Sequence, residues 1–234
     1  MSPDSPSGIG SLNESSLHAQ IKRWYAHPGD CLEREVEGYI VDIVRGDLLI
    51  EVQTGGFATI RDKLHVLLRQ RRVRLVHPIP HHKWVVSLSL DGGEVLRRRR
   101  SPKRGRWLDL FDELIYIAEL MRHPALAIEA LLVDIEEYRC DDGRGSWRRK
   151  GVSIRDRRLL NVVACRHFMG PNDLLALLPT ELPHPFTNRM LGERLHLGQR
   201  RAARITYTLE KVGVLQRVGK KGNALQFERA QDAQ

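Results

Sequence analysis

The stretch GYIVDIVRGDLLIEVQTGG, residues 38–56, reads as two short, largely buried strands joined by the turn Arg45-Gly46-Asp47. Both are apolar runs rich in Val and Ile, and Gly46 tolerates the positive φ of a tight turn. Charge sits in unexpected places. Asp42 interrupts IVDIV and Glu51 interrupts DLLIEVQT. A carboxylate is seldom buried without a partner, because stripping water from the ion is costly. A turn near Gly46 brings Asp42 roughly opposite Glu51, and period-two alternation puts Gln53 on the face of Glu51. Two carboxylates on adjacent strands therefore predict a site that holds a cation or a basic partner.

The flanks supply the neighbouring elements. SSLHAQIKRWYA is the expected first helix, with His18 and Lys22 at helical spacing from Glu14, and LEREVEGYI is the expected first strand. FATIRDKLHVLLRQ is an amphipathic helix, with Phe57, Ile60, Leu64, Leu67 and Leu68 on one side. RRVRLVHPIP is a returning strand, HPIPHH a Pro-rich turn, and HKWVVSLSL a further strand. His77, His81 and His82 match no zinc spacing. Glu33, Glu35 and Glu37 alternate onto one face of their strand; Glu35 or Glu37 is a candidate for one more carboxylate at the site, and the others are surface charges.

The pattern Asp42, eight residues, Glu51, one residue, Gln53, with helix, three strands, helix and strand in that order, resembles the PD-(D/E)xK (restriction-endonuclease-like) nuclease superfamily over about residues 14–90. It is also similar to a set of uncharacterised prokaryotic proteins carrying a Glu-x-Gln-Thr version of the motif. The resemblance implies a metal-dependent nuclease in which Asp42 and Glu51 bind Mg²⁺ (or Mn²⁺), helped by Glu14 from the first helix. Gln53 stands where the superfamily most often has Lys, and its amide orients a water without supplying charge. Lys63, on the following helix, is then the candidate substitute and phosphate contact. The simpler reading of Lys63 is a solvated helical lysine.

At 234 residues the chain has room for two modest domains. The polar segment 1–13 reads as a disordered lead-in. It lacks the features of a signal peptide, and no run approaches the length that spans a bilayer. Three cysteines without CxxC spacing indicate neither zinc nor disulfides, so a reducing cytoplasm is expected. Residues 1–142 carry 20 Lys and Arg against 22 Asp and Glu, whereas residues 143–234 carry 18 against 7. That segregation points to DNA as partner. A homodimer is left open.

GGEVLRRRRSPKRGR, residues 92–106, reads as a mobile basic loop, since like charges repel and Gly and Pro oppose regular structure. WLDLFDELIYIAELM follows as an amphipathic helix. PALAIEALLVDIEEYRC reads as helix or strand, leaning to strand after residue 126, and residues 141–153 as a connector.

RDRRLLNVVACRHF, from Ile154, reads as the first of several helices. Thr187 is the expected N-cap of NRMLGERL, Gly198 the break before QRRAARITYTLEKVG, and VLQRV and ALQFE the strands of a basic hairpin. Helix, turn, helix and hairpin in this order resemble a winged helix-turn-helix domain over residues 154–234. The resemblance implies DNA contacts from Gln199, Arg200, Arg201 and Arg204 on the second helix and from Lys220 and Lys221 at the wing tip. The expectation is thus an α/β protein, with a restriction-endonuclease-like mixed sheet flanked by helices (residues 14–140) followed by a winged-helix domain. Its expected function is metal-dependent DNA cleavage. The rival is a non-catalytic DNA-binding regulator, or a complex subunit with a degenerate nuclease fold.

Overall fold

A computed structural model describes residues 15–230. The protein is an α/β fold in which a seven-stranded mixed sheet is flanked by helices on both faces. Helix α1 (Ser16–Tyr25) opens it, capped by the Ser15 hydroxyl, which accepts from His18 N. Strands β1 (Cys31–Val36), β2 (Tyr39–Arg45) and β3 (Leu48–Val52) then form an antiparallel meander. The expected strand LEREVEGYI is in fact broken by a turn at Glu37-Gly38, where both residues have positive φ. Gly46, at φ +56, makes the predicted turn between β2 and β3. After a 3-10 turn at Phe57–Thr59, α2 (Arg61–Leu67) crosses over to β4 (Arg72–Leu88), which lies parallel to β3.

β4 corrects a second expectation, because it runs unbroken through HPIPHH. On one side it pairs with β6 (Leu126–Cys140) along its length. On the other, β3 covers residues 72–76 and β5 (Val95–Arg100) covers 84–88, leaving a gap between them. Carbonyls of Val76 and Pro80 face that side, accepting from Gln53 N (2.8 Å) and Gly105 N (3.0 Å). The N–H groups that Pro78 and Pro80 lack would point into the gap, so no ladder bond is lost. The strand survives its prolines for that reason.

The basic segment is not a mobile loop. Residues 95–100 are strand β5, antiparallel to β4. Alternation sends Arg97 and Arg99 to one face and Arg98 and Arg100 to the other, which halves the local crowding of charge. Arg98 donates to Glu136 at 2.7 Å, and the guanidinium groups of Arg98 and Arg100 lie 5.2 and 5.7 Å from the Trp84 ring centre. The single helix expected over Trp107–Met121 is divided into two 3-10 segments around the short α3 (Phe111–Leu114).

The largest correction concerns RDRRLLNVVACRHF. It is strand β7 (Ser153–Phe168), antiparallel to β6, and residues 141–152 are the loop of that hairpin. With β7 in the sheet, residues 1–169 carry 28 Lys and Arg against 23 Asp and Glu, and residues 170–234 carry 10 against 6. The basic excess is therefore shared by both parts.

The C-terminal segment comprises α4 (Pro171–Leu175), β8 (Phe186–Thr187), α5 (Asn188–Leu195), α6 (Gln199–Lys211) and the hairpin of β9 (Leu215–Lys221) and β10 (Ala224–Arg229). Thr187 caps α5 as expected, accepting from Met190 N. β8, β10 and β9 form a small antiparallel sheet. This segment does not keep a core to itself. Ala202, Ile205 and Leu209 of α6 share one apolar cluster with Leu110, Phe111 and Leu114, and with α2 on the same side of the large sheet. α1 closes the other face over Ile43, Ile50, Val76, Leu131 and Val133. No helix among the described residues is long and apolar enough to cross a membrane.

Candidate functional site

Asp42 and Glu51 lie where the hairpin pattern puts them. The register Ile43↔Ile50, carried one step on, sets the two carboxylates across from each other on β2 and β3. Asp42 Oδ2 accepts from Val52 N at 2.8 Å and lies 3.2 Å from His18 Nε2 of α1. Burial raises the Asp42 pKa, but the His18 contact, the Val52 N–H and the Lys63 charge outweigh it and hold the group below its ordinary value. Glu51 moves the other way. It is 4% exposed, and burial, reinforced by the Asp42 charge, overcomes the opposing Lys63 and pushes it up to about 7. Environments that drive two neighbouring carboxylates in opposite directions are what a site with two distinct acid–base roles requires.

Lys63 and His18, each of which helical spacing leaves open between facing the cleft and a solvated side chain, complete the cluster. Lys63 Nζ lies 2.6 Å from Glu51 Oε1, donates to Ile40 O at 2.6 Å, and its side chain is only 16% exposed. It is therefore not a free phosphate contact. Gln53 has a different task from the one expected. Its amide donates to Gly56 O (2.8 Å) and Thr59 Oγ1 (2.9 Å), bracing the turn that leads into α2. His77 braces the same turn from beneath. Burial lowers its pKa to about 4, so the neutral ring donates Nδ1–H to Gln53 O at 2.7 Å. Glu35 and Glu37 are exposed on β1 and its turn, and Glu14 lies outside the described residues.

Among the described residues no third His, Cys, Asp or Glu joins the pair in a metal-binding group. Two carboxylates still fit a small, hard divalent cation, because Mg²⁺ takes few protein oxygens and keeps several waters. Glu51 adds to that fit, since a carboxylate pushed up by burial and by a like charge is stabilised as the anion by added positive charge.

One pH effect follows. Glu51 titrates near 4.5 when unfolded and about 7 when folded, so the folded chain holds the proton more tightly. The stability tied to that proton is complete below pH 4.5 and is lost as pH rises through about 7. Urea denaturation from pH 4 to 9 should show wild type losing about 3 kcal/mol relative to Glu51→Gln across that window. A flat difference would place Glu51 in an ordinary environment.

The expected DNA-contacting arginines divide. Gln199 and Arg200 are exposed at the start of α6, and Lys220 and Lys221 at the end of β9. Arg201 and Arg204 instead turn inward. Arg201 pairs with Asp109 (2.6 Å) and Asp112 (2.8 Å), and Arg204 with Asp112 (2.7 Å). They fasten α6 to the segment around α3. Arg201→Ala should cost about 1–2 kcal/mol in urea denaturation, against less than about 0.5 for the exposed Arg200→Ala. The outward stripe of α6 is Arg200, Ala203, Tyr207 and Lys211, with the Lys211 ammonium 5.8 Å from the Tyr207 ring centre. Only knowledge of the α3 contact separates the two sets.

Residues 15–169, from the cap of α1 to the end of β7, match the family described as a domain of unknown function, DUF8091. The chain belongs to the DUF8091 family. An uncharacterised protein of Treponema pallidum (strain Nichols) is 31% identical over 179 residues, which cover 76% of this chain and 71% of that protein. No solved structure matches. The DUF8091 match takes in the carboxylate pair, the basic strand β5 and β7, and stops short of α4.

Proposed function

We propose that this DUF8091 protein is a Mg²⁺-dependent DNA endonuclease of the PD-(D/E)xK type, with α5, α6 and the β9–β10 hairpin acting as a winged helix. What carries the reading is the Lys63 ammonium on Glu51 beside Asp42. A cation delivered from α2 stands in for the motif lysine that Gln53 replaces. The meander, crossover helix and parallel β4 around it are the arrangement such a site needs.

Asp42 and Glu51 would hold Mg²⁺, which when bound supplies Lewis-acid polarisation of a phosphate. The Lys63 charge opposes the burial that raises Glu51, and its positive field offsets charge developing on a nearby phosphate without direct contact. His18 orients Asp42. Gln53 fixes the turn rather than a water. Arg200, Tyr207, Lys211, Lys220 and Lys221 supply the outward DNA-contacting groups of the C-terminal segment.

The test is supercoiled plasmid incubated with the purified chain in Mg²⁺, Mn²⁺ or EDTA. Nicking or linearisation that requires the metal supports the nuclease. Salt-sensitive DNA binding without cutting supports a second reading, a DNA-binding regulator. That reading is favoured by one observation: each carboxylate already has a base from its own chain, His18 on Asp42 and Lys63 on Glu51. Metal binding has its own readout. Millimolar Mg²⁺ should raise the melting temperature at pH 8 and do so less at pH 5, where Glu51 holds its proton, and the shift should vanish in Glu51→Gln. An equal shift in the variant would move the metal elsewhere.

A further inference from the structure

Beyond the carboxylate pair, a cluster of unneutralised charge lies where β5 turns back onto β4. His82, Arg100, Ser101, Pro102, Lys103 and Arg104 line a cavity of about 330 Å³ there. Among the described residues none of Arg100, Lys103 and Arg104 pairs with a carboxylate, although most other cations of the sheet do. Of the neighbouring carboxylates, Asp109 shares a smaller cavity with Lys103 but has its Oδ1 taken by Arg201, and Asp134 is taken by His82.

The cavity is built, not draped. Ser101 N donates to Lys83 O at 2.7 Å, and Gly105 N to Pro80 O at 3.0 Å. Gly105 sits so close to β4 that a Cβ there would come 2.3 Å from Pro80 O, so glycine is required at that point. His81 Nδ1 lies 3.0 Å from Gly105 O, where it can only donate. Its Nε2 is then the acceptor for both Arg104 Nε (2.9 Å) and Nη2 (2.7 Å). That uses two of the five guanidinium donors and fixes the plane, leaving three for a ligand. Arg100 is held over Trp84, and His82 Nδ1 is held by Asp134 at 3.0 Å. Ser101 Oγ accepts from Lys103 N at 3.3 Å, which leaves its O–H to donate.

Three cations, one of them an oriented guanidinium fork, and a hydroxyl donor around one small cavity match the tetrahedral, multiply accepting shape of phosphate better than a planar carboxylate. We infer that Arg100, Ser101, Lys103 and Arg104 form a phosphate-binding pocket that takes a phosphodiester group of the nucleic-acid backbone. The same sheet face continues the trend. Arg98 lies over Trp84, and Arg158 lies 4.5 Å from the Tyr138 ring centre, each also tied to a carboxylate. The inference rests on nucleic acid as partner but not on cleavage.

The experiment is anisotropy of a labelled duplex with the full chain in EDTA, over a series of KCl concentrations. It compares wild type, Arg100→Ala/Lys103→Ala/Arg104→Ala, and a control of equal charge, Arg69→Ala/Arg71→Ala/Arg72→Ala. The pocket variant should bind at least about tenfold more weakly near 0.1 M salt, with a log–log salt slope smaller by about two. The control should keep wild-type slope to within about one. Unchanged affinity and slope in the pocket variant, or an equal loss in the control, overturns the inference. A second arm titrates inorganic phosphate calorimetrically. Phosphate binding that the pocket variant loses, together with duplex binding that it keeps, overturns the nucleic-acid assignment in favour of free phosphate. Lys103→Ala/Arg104→Ala, which spares β5, repeats both arms should the triple variant lose its fold. Absence of cleavage with this pattern intact would sink the nuclease reading and leave the pocket standing.

Discussion

Plasmid cleavage should fall at least about a thousandfold in Asp42→Ala and in Glu51→Ala, and about a hundred- to a thousandfold in Lys63→Met. The first two remove the only carboxylates that face each other across the β2–β3 hairpin, and with them several kcal/mol of charge stabilisation. Lys63→Met removes one cation while keeping most of the apolar stem. Its effect has a signature that simple unfolding does not. The Lys63 charge is what opposes burial at Glu51, so without it the Glu51 pKa rises above about 7. The acid limb of the pH–rate profile should move to higher pH in Lys63→Met and stay near the wild-type position in Lys63→Arg. A uniform loss at all pH values would show that Lys63 merely supports the fold.

Glu137→Gln should destabilise the protein by about 3–5 kcal/mol, the usual cost of breaking a buried ion pair from one side. The Glu137 carboxylate is 3% exposed and meets Arg139 (2.5 Å), Arg157 (3.0 Å) and Lys83 (3.3 Å) on β6, β7 and β4. Burial alone would raise its pKa. The bonds from Arg139 and Arg157 and the Lys83 charge prevail and hold it at about 2. Lys83 is itself lowered, by burial first and then by Arg139 and Arg157, against the pull of Glu137. Without the carboxylate, three cations would share one patch of sheet with nothing between them. Because the Glu137 pKa is depressed, its contribution is complete above pH 4.5 and is lost only as pH falls through about 2. Urea midpoints at pH 7 test the magnitude. A cost under about 1 kcal/mol would mean that water, not Glu137, screens the cluster. Adding Lys83→Met to Glu137→Gln should recover part of the loss, since it removes one of the stranded charges.

The β2–β3 hairpin and its two carboxylates were legible because Val and Ile runs, a turn glycine and two misplaced charges are all local signals. The Thr187 cap and the two helices after it were legible for the same reason. β4 was not, because Pro78 and Pro80 announce a turn unless the neighbouring strands are known to leave a gap beside them. β5 was hidden by four consecutive arginines, whose repulsion is relieved by Trp84 and Glu136 on other strands. β7 has Leu and Val in pairs, which mimics helical spacing, and its partner β6 was itself ambiguous. Read as helix, the eight cations of residues 144–166 count toward a C-terminal domain, and the apparent charge segregation comes from that boundary. Arg201 and Arg204 illustrate the general limit: their types suit DNA, but only the fold reveals the two aspartates waiting for them.

β4 joins two workplaces with one rod. At one end it supports β3, which carries Glu51, and at the other it supports β5 and the arginine-lined pocket. Side chains on a strand alternate with a period of two, so the two ends are locked in phase. Deleting a single residue between them would turn the far end over, sending Trp84 and its arginines to the opposite side of the sheet, while Glu51 kept its place. Two residues could be lost together with far less harm. The irregularity between Pro80 and His82, where the pairing with β6 already slips, is the point between the two ends where the phase has been adjusted. Among relatives, length should therefore vary freely in the β6–β7 loop and in β4 only in steps of two, or at that slip.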